Sequence, residues 1–338
     1  METEVELEEV MTRPSPALVE DMSRVEGDLM LLGVAGKMGP TMARLARRAW
    51  DQAGRKSRII GVARFTDAGA RDRLEAGGIE TITADLLDEK ALAVLPDAPN
   101  IIYLAARKFG ATGNEPLLWA MNAWLPALVA SRYRNARIVA LSTGNVYPFT
   151  GTAGPGPDES TPVGPVGEYA QSCLGRERVF QYFSERHGTP VSLIRLNYAI
   201  DLRYGVLMDV ATKVFTGQPI DLTMGHVNVI WQGDANTAIL RSLRHCASPP
   251  FVLNLTGRET LSVRSLAHEF GRRLDKQPVF VSSEAPTALL SNAARYHETL
   301  GPPVVPVERM LDWVAHWARI GGRTWNKPTK FQSRDGKF

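Results

Sequence analysis

The sequence is poor in the features that mark several classes of protein. Its 338 residues include only two cysteines, Cys173 and Cys246, too few for a disulfide framework or a cysteine-based metal site. The 39 basic and 36 acidic residues leave a net charge of +3, which gives no electrostatic reason to expect nucleic acid or a membrane as a partner. No apolar run approaches the ~20 residues of a membrane span. The acidic residues 1–10 do not resemble a secretory signal. We therefore expect a protein of the reducing cytoplasm that has no metal site.

The sequence does contain a regular alternation of short apolar runs and helical patterns. With 44% hydrophobic residues, the chain can bury a substantial core. Strands are predicted at 29–34, 57–62, 79–84, 100–105, 136–142, 191–196 and 251–255, and helices at 38–50, 114–132, 167–186 and 234–246. This alternation predicts an α/β fold with a doubly wound parallel sheet of the Rossmann type. The carboxyl ends of the strands then share one edge, where ligands bind.

Outside this alternation the pattern changes at both ends of the chain. We predict an N-terminal arm at 1–28, a Rossmann domain at 29–197 completed by 233–255, a smaller substrate-binding domain at 198–232 and 256–323, and an extended tail at 324–338. Within the arm, residues 17–25 could form a short helix with its apolar residues on one side. A surface or subunit contact is a better interpretation of the arm than a catalytic role.

A glycine-rich loop joins the first predicted strand to the first helix. Gly33, Gly36 and Gly39 follow the spacing G-x-x-G-x-x-G, with Lys37 and Met38 before the last glycine. Glycines let the backbone approach a pyrophosphate, and a helix N-terminus offers free N–H groups and a positive dipole end. Placed between a strand and a helix of a βαβ pattern, the loop predicts binding of a nicotinamide dinucleotide.

The end of the second strand bears on which dinucleotide is bound. An acidic residue there would bind the ribose 2′-hydroxyl of NAD, whereas an arginine suits the 2′-phosphate of NADP. Arg64 occupies this place and favours NADP. Asp67 follows slightly later and leaves NAD as an alternative. Asp85, after the third strand, is placed for the adenine side.

Several further motifs occur in the order found in one known family. They are residues 84–88 (ADLLD), 104–106 (LAA), Asn122, 141–147 (LSTGNVY), Tyr169, 195–197 (RLN), 233–235 (GDA) and 254–257 (NLTG). With the glycine loop, they make the chain resemble the extended short-chain dehydrogenase/reductases of the NAD-dependent epimerase/dehydratase superfamily. The resemblance runs from about residue 28 to beyond residue 266.

The resemblance implies roles for particular residues. Thr143 would hydrogen-bond the reacting oxygen of the substrate, and Tyr169 would be the general acid/base. Besides the glycine loop and Arg64, the cofactor-binding residues would be Asp85, Leu86, Ala105, Ala106, Asn122 and Asn197. The substrate-binding residues would be Lys108, Asn145, Asn197, Arg203 and His226, of which Arg203 could grip a carboxylate or phosphate.

The sequence departs from the family pattern after the tyrosine. The family motif is Tyr-x-x-x-Lys, but Cys173 stands at the lysine position. A free tyrosine has a pKa near ~10, and the missing ammonium group would lower that pKa. Two residues could replace it: Arg176, two turns from Tyr169 on the same helix face, and Lys108, at the ligand-binding edge after the fourth strand.

A second departure narrows the reaction. The sugar dehydratases of the family have an Asp-Glu pair after the catalytic threonine, and this chain has Gly144 and Asn145. Elimination is therefore disfavoured, and simple oxidation/reduction or epimerisation remains.

The sequence thus predicts an NAD(P)-dependent oxidoreductase or epimerase that acts on a sugar, sugar acid or nucleotide sugar. The alternative is an NAD(P)-binding regulator or scaffold without catalysis, for which Cys173 is the support. From the resemblance we also expect a homodimer that pairs through residues 114–132 and 167–186.

Overall fold

The computed structural model describes residues 1–67, 69–108, 113–327 and 329–337. The strands are β1 (Leu29–Leu32), β2 (Ile59–Ala63), β3 (Glu80–Thr83), β4 (Asn100–Tyr103), β5 (Arg137–Thr143), β6 (Thr150–Gly151), β7 (Val191–Leu196), β8 (Ala199–Ile200), β9 (Pro219–Asp221), β10 (His226–Val227), β11 (Ile230–Trp231), β12 (Phe251–Leu255), β13 (Leu261–Ser262), β14 (Val279–Val281) and β15 (Thr287–Ala288). The helices are α1 (Glu4–Met11), α2 (Pro16–Ser23), α3 (Gly39–Gln52), α4 (Ala70–Ala76), α5 (Glu89–Ala93), α6 (Glu115–Trp119), α7 (Leu125–Arg132), α8 (Gly167–His187), α9 (Val206–Thr216), α10 (Gln232–Arg241), α11 (Val263–Leu274), α12 (Ala294–Leu300) and α13 (Val307–Arg319).

A seven-stranded parallel sheet forms the centre of the fold. Its strand order is β12-β7-β5-β4-β1-β2-β3, which is the predicted doubly wound Rossmann arrangement and confirms that prediction. The chain runs outward from β1 to β3 and then resumes with β4 on the other side of β1. This reversal creates a crevice at the carboxyl ends of β1 and β4, the usual ligand site of such sheets.

Strand β1 shows why the central strands appear in the sequence as continuous apolar runs. Leu29 and Leu31 pack into the core on one face of the sheet, and Met30 and Leu32 pack into the core on the other. All four side chains are fully buried. Because helices cover both faces, strand positions of either parity are apolar.

The N-terminal segment packs against the rest of the fold. Helix α2 confirms the predicted helix near residues 17–25, and its Leu18 and Met22 belong to the core beside the sheet. Helix α1 was not predicted; its buried side chains, Leu7 and Met11, join the apolar cluster of the C-terminal segments. The arm therefore contributes side chains to two parts of the core. The predicted domain boundaries stay a prediction.

The predicted helix at 114–132 contains an irregular turn. Helices α6 and α7 are joined by one π-helical turn, Ala120–Trp124, and each of the two helices has a proline in its first turn. A proline has no backbone N–H to donate to the preceding turn, which agrees with a widened turn before Pro126. The π-turn contains Asn122, one of the predicted site residues.

None of the helices in the described ranges combines the length and apolar character needed to cross a membrane.

Two glycines let the loop after β1 approach its neighbours. Gly33 has a left-handed φ of 90°, and a Cβ there would lie 2.8 Å from the backbone nitrogen of Ala105. At Gly39 a Cβ would collide with the carbonyl group of Val34. These close approaches allow α3 to begin directly above the end of β1.

We expect Gly39→Ala to destabilise the protein by about 1–3 kcal/mol, although alanine is the better helix former, because the Val34 backbone must move. Equilibrium denaturant unfolding measures the change. Gly154→Ala is the matched control, since no atom of the described residues lies within 4 Å of its added Cβ. Equal stability of the two variants would contradict the packing argument.

Candidate active site

A cavity of about 240 Å³ opens at the carboxyl edge of the sheet. The predicted site residues that line it are Lys37, Met38, Lys108, Thr143, Asn145, Tyr169 and Asn197. The remaining lining residues are Ser142, Leu196, Tyr198, Ala199, Tyr204, Gly205, Val206 and Thr329. Distant parts of the sequence thus meet at one place: the glycine loop, the ends of β4 and β5, the start of α8, the segment from the end of β7 to the start of α9, and the C-terminal tail.

Thr143 and Tyr169 face each other across the end of β5. The Thr143 hydroxyl donates to Oδ1 of Asn145 at 2.9 Å and accepts from the Asn145 backbone N–H at 3.2 Å. Burial raises the pKa of Tyr169 well above 10, the neighbouring Cys173 thiol raises it further, and Arg176 and a hydrogen bond with Thr143 oppose the rise. Without a ligand, the phenol is therefore neutral at physiological pH.

Cys173 is fully buried below Tyr169, and burial raises the pKa of its thiol. The two candidates for the missing lysine lie in different places. The Arg176 guanidinium donates to the carbonyl oxygen of Leu141 at 2.7 Å and to Oδ1 of Asn122 at 2.8 Å. Lys108 lines the cavity, with its Nζ 5.5 Å from the ring centre of Tyr169.

Lys37 extends from the glycine loop into the same cavity. Its Nζ donates to the carbonyl oxygen of Ala199 at 2.6 Å and lies 4.5 Å from the ring centre of Tyr204. Burial lowers the pKa of Lys37 to about 8 and has the same effect on Lys108. Lys37 therefore lies within reach of a group bound in the cavity, and its role in binding the cofactor stays a prediction.

The side-chain amide of Asn122 forms all its hydrogen bonds within the protein. Its side-chain oxygen accepts from the backbone N–H of Arg107 and from Arg176, and its Nδ2 donates to the Arg107 carbonyl and to the Ser172 hydroxyl. All four hydrogen-bonding positions of the amide are used. Asn122 therefore fixes the backbone next to Lys108 relative to α8.

The other predicted cofactor residues lie near the carboxyl ends of β1 to β4, beside the cavity. Helix α3 starts at Gly39 after Met38 and has no side chain capping its N-terminus, so its first N–H groups are available to an anion. At the ends of β2 and β3, the exposed side chains of Arg64 and Asp85 lie 3.9 Å apart. Leu86 and Ala105 are buried in the core below them.

Gly36 and Ala106 are exposed at the ends of β1 and β4. Within the described ranges, an added Cβ at Gly36 would come within 4 Å only of the Gly33 carbonyl oxygen, at 3.3 Å. The loop surface is therefore open to a bound group, and these residues fit a dinucleotide pyrophosphate. Among the described residues, no group of three or more His, Cys, Asp or Glu side chains is placed to hold a metal ion.

Two predicted substrate residues do not reach the cavity. Arg203 is 7% exposed, and its guanidinium pairs with Asp201 at 2.8 Å and with Glu4 and Glu8 of α1 at 3.3 and 3.2 Å. His226 lies in β10, paired with β13 of the C-terminal part. Arg203 looked available because the acidic helix that neutralises it lies almost 200 residues away in the sequence.

A buried polar network lies beneath the cavity and connects α8, β7 and the residues around Thr143. Glu177 of α8 and Arg195 of β7 form an ion pair at 2.7 Å, with both side chains almost completely buried. Glu177 accepts from the Ser142 hydroxyl at 2.5 Å, and Arg195 donates to the hydroxyl of Tyr147 at 2.7 Å. Tyr147 in turn donates to Oδ1 of Asn254 at 2.9 Å. The network links α8 to the residues on either side of Thr143.

Comparison with known proteins supports the resemblance found in the sequence. The model of the NAD dependent epimerase/dehydratase family matches residues 29–200, more than half of the chain. The chain belongs to this family. Its relatives are enzymes of the extended short-chain dehydrogenase/reductase type. A sequence search of curated proteins finds no match.

Solved structures show the same fold over most of their length. UDP-glucose 4-epimerase of Thermotoga maritima has a TM-score of 0.71 at 16% identity, covering 86% of this chain and 98% of the epimerase. UDP-glucuronic acid 4-epimerase of Bacillus cereus, solved with NAD, has a TM-score of 0.69 at 15% identity, covering 86% and 98%. dTDP-glucose 4,6-dehydratase of Streptomyces venezuelae, also solved with NAD, has a TM-score of 0.72 at 20% identity, covering 86% and 97%.

We expect Glu177→Ala to destabilise the protein by about 3–5 kcal/mol, because it leaves the Arg195 charge buried without its partner. Glu177→Gln keeps hydrogen-bonding groups at the site and should cost less. Denaturant unfolding gives both values, with the exposed Glu185→Ala of the same helix as control. If Glu177→Ala and Glu185→Ala were equally stable, the network would not support the fold.

Proposed function

We propose that the protein is an NAD(P)-dependent oxidoreductase or epimerase that acts on a hydroxyl or keto group of a sugar-type substrate. The observation that carries the proposal is the meeting of Thr143 and Tyr169 with the glycine loop around one cavity. A decayed site would have no reason to keep these side chains together. The bound dinucleotide would accept or supply the hydride.

In this proposal Tyr169 is the acid/base and Thr143 orients the substrate oxygen. As a substrate hydroxyl is oxidised, its proton moves to the phenolate oxygen of Tyr169, and in the reverse direction the phenol returns it. The Thr143 hydroxyl, which donates to Oδ1 of Asn145 in the structure, would turn its proton to the same substrate oxygen. The backbone N–H of Asn145 donates to the Thr143 oxygen and holds it in place.

Tyr169 needs a nearby cation, because burial raises its pKa and a positive charge would lower it by favouring the phenolate. Lys108 is the better candidate because its ammonium group lines the cavity over the Tyr169 ring. Arg176 acts on Tyr169 only through space, since its guanidinium is bonded to Leu141 and Asn122. With the pKa of Lys108 lowered to about 8, its charge is present below that pH and fades above it.

The residues after Thr143 favour redox chemistry or epimerisation over elimination. Gly144 has no side chain, and Asn145 is an amide that cannot serve as an acid or base at neutral pH. No carboxyl group is therefore supplied at the positions where the dehydratases of the family have their Asp-Glu pair. We propose oxidation/reduction, or epimerisation through a transient ketone.

The helix pair expected to form a homodimer carries exposed aromatic side chains. Trp119 and Trp124 lie in the α6–π-turn segment and Tyr182 in α8, and they are 37%, 54% and 60% exposed. Large aromatic residues on a surface are typical of protein interfaces. These residues support the proposal of a homodimer through this face.

We expect Tyr169→Phe to lower turnover by about 10²–10⁴-fold while leaving dinucleotide affinity unchanged, because only the proton-transfer group is lost. Absorbance at the reduced-nicotinamide band measures net oxidation/reduction with a panel of sugars, sugar acids and nucleotide sugars, and proton NMR of the same panel measures epimerisation, in which the dinucleotide is regenerated. Lys108→Met should also reduce the rate, whereas Lys56→Met, at an exposed lysine far from the cavity in sequence, should not. Dinucleotide binding without turnover of any panel member above the Tyr169→Phe background would favour the regulator or scaffold alternative.

We expect the protein to bind NADPH in preference to NADH, and Arg64→Asp to weaken NADPH binding by about tenfold or more, because a carboxylate would repel the 2′-phosphate. Enhancement of reduced-nicotinamide fluorescence measures both affinities. The exposed Arg186→Asp near the far end of α8 is the charge-matched control. A preference of the unmodified protein for NADH would refute this role of Arg64 but not the enzymatic proposal.

A further inference from the structure

The C-terminal tail crosses one side of the active site. Its residues 329–337 form neither a helix nor a strand. Thr329 lines the cavity beside Tyr169. A smaller gap of about 20 Å³ lies next to this cavity and shares Asn145 and Tyr198 with its lining. The tail residues that line the gap are Phe331, Ser333 and Gly336. The tail therefore forms part of the wall of the site.

This wall stands on the side that a substrate would occupy. In the proposed function the dinucleotide lies along the glycine loop, where Gly36 and Ala106 are exposed. The tail instead meets Asn145, a predicted substrate-binding residue two positions after Thr143. A substrate hydroxyl held by Thr143 and Tyr169 would then lie between the dinucleotide and the tail.

The inner part of the tail is attached mainly through side chains. The hydroxyl and backbone N–H of Thr329 donate to Oδ2 of Asp209 at 2.6 and 2.8 Å. Phe331 is buried in the apolar cluster of the C-terminal segments. The Arg334 guanidinium donates to the carbonyl oxygen and hydroxyl of Thr287 at 2.8 and 2.6 Å. Since these contacts are not part of a helix or a sheet ladder, the tail can open locally while the rest of the fold stays intact.

The outer end of the tail meets the start of α8 through two glycines. Gly336 and Gly167 both have left-handed φ values, of 71° and 82°. A Cβ on Gly167 would lie 2.7 Å from the Cα of Gly336, and a Cβ on Gly336 would collide with the carbonyl oxygen of Val166. Neither position accepts a side chain while the tail is docked. Gly167 precedes Tyr169 by two residues, so the tail ends on the helix turn that carries the proposed acid/base.

We propose that residues 329–336 act as a strap that closes the substrate side of the active site, with the contact between Gly336 and Gly167 as its latch. The inference rests on the proposed function, since the closed site is the one in which Tyr169 and Thr143 act. The strap lifts at its outer end to admit substrate. It closes to exclude water from the hydride transfer.

Limited trypsin digestion of the full chain measures how often the outer end lifts. Cleavage after Arg334 requires its side chain to leave Thr287, and the cleavage rate follows the population of the open tail. Intact mass reports the loss of the residues after Arg334. We expect Gly336→Ala and Gly167→Ala each to raise the rate by about fivefold or more, because the added methyl group fits only when the tail is open.

Two other glycines provide matched controls for these variants. Gly321 and Gly188 have left-handed φ values of 65° and 70°, and no atom of the described residues lies within 4 Å of an added Cβ at either. Gly188 follows the other end of α8. Gly321→Ala and Gly188→Ala share the backbone strain but not the collision, so they should leave the cleavage rate unchanged.

Acrylamide quenching of bound NADH or NADPH, whichever binds more tightly, measures whether the strap shields the site. The nicotinamide must lie beside Tyr169 to exchange a hydride, so lifting the tail should expose its fluorescence to the quencher. We expect the Stern–Volmer constant to rise by about twofold or more in Gly336→Ala and to stay unchanged in Gly321→Ala.

The outcomes separate the strap from the proposed function. Cleavage of both latch variants at the rate of their controls would overturn the latch and with it the strap. Because Gly336→Ala and Gly167→Ala change the same contact from opposite sides, either one decides if the other does not fold. Faster cleavage with unchanged quenching would show that the tail does not close the site, and would also overturn the strap. Failure to bind either dinucleotide would overturn the proposed function, while the cleavage rates would still decide the latch.

Discussion

The buried ion pair between Glu177 and Arg195 is the interaction on which the geometry of the site depends. It joins the middle of α8, which carries Tyr169 in its first turn, to β7 beside the strand that ends in Thr143. A buried pair of charges is stable only when its geometry and remaining hydrogen bonds are satisfied. Its bonds to the Ser142 and Tyr147 side chains meet that condition and also hold both flanks of the Thr143 turn.

The site distributes positive charge differently from the family pattern. At the position of the family lysine there is a buried thiol, Cys173, and the ammonium groups nearest the chemistry come from Lys37 and Lys108. Each of these follows a strand of the sheet, so their positions are set by the edge of the sheet and not by the helix that carries Tyr169. Lys108, whose Nζ lies over the Tyr169 ring, thus comes from the segment after β4 and not from α8.

The N-terminal helix has an indirect part in this arrangement. Its carboxylates, Glu4 and Glu8, neutralise Arg203, which also binds Asp201. Arg203 is therefore not available to bind a substrate. Asp201 pairs with Arg203 and not with Lys37. The charge on the cavity lining is thus governed in part by residues far from it in the sequence.

The strands of the sheet and the motifs around Thr143 and Tyr169 could be predicted from local sequence. The inner strands were predictable because strands buried on both faces are continuous apolar runs, although the edge strand β3 is partly exposed and half polar. The glycine loop, Thr143 and Tyr169 follow local motifs. Which charged side chains face the cavity depends on the tertiary structure. The direction of Lys37 and the neutralisation of Arg203 both depend on contacts between distant segments, and local periodicity carries no record of such contacts.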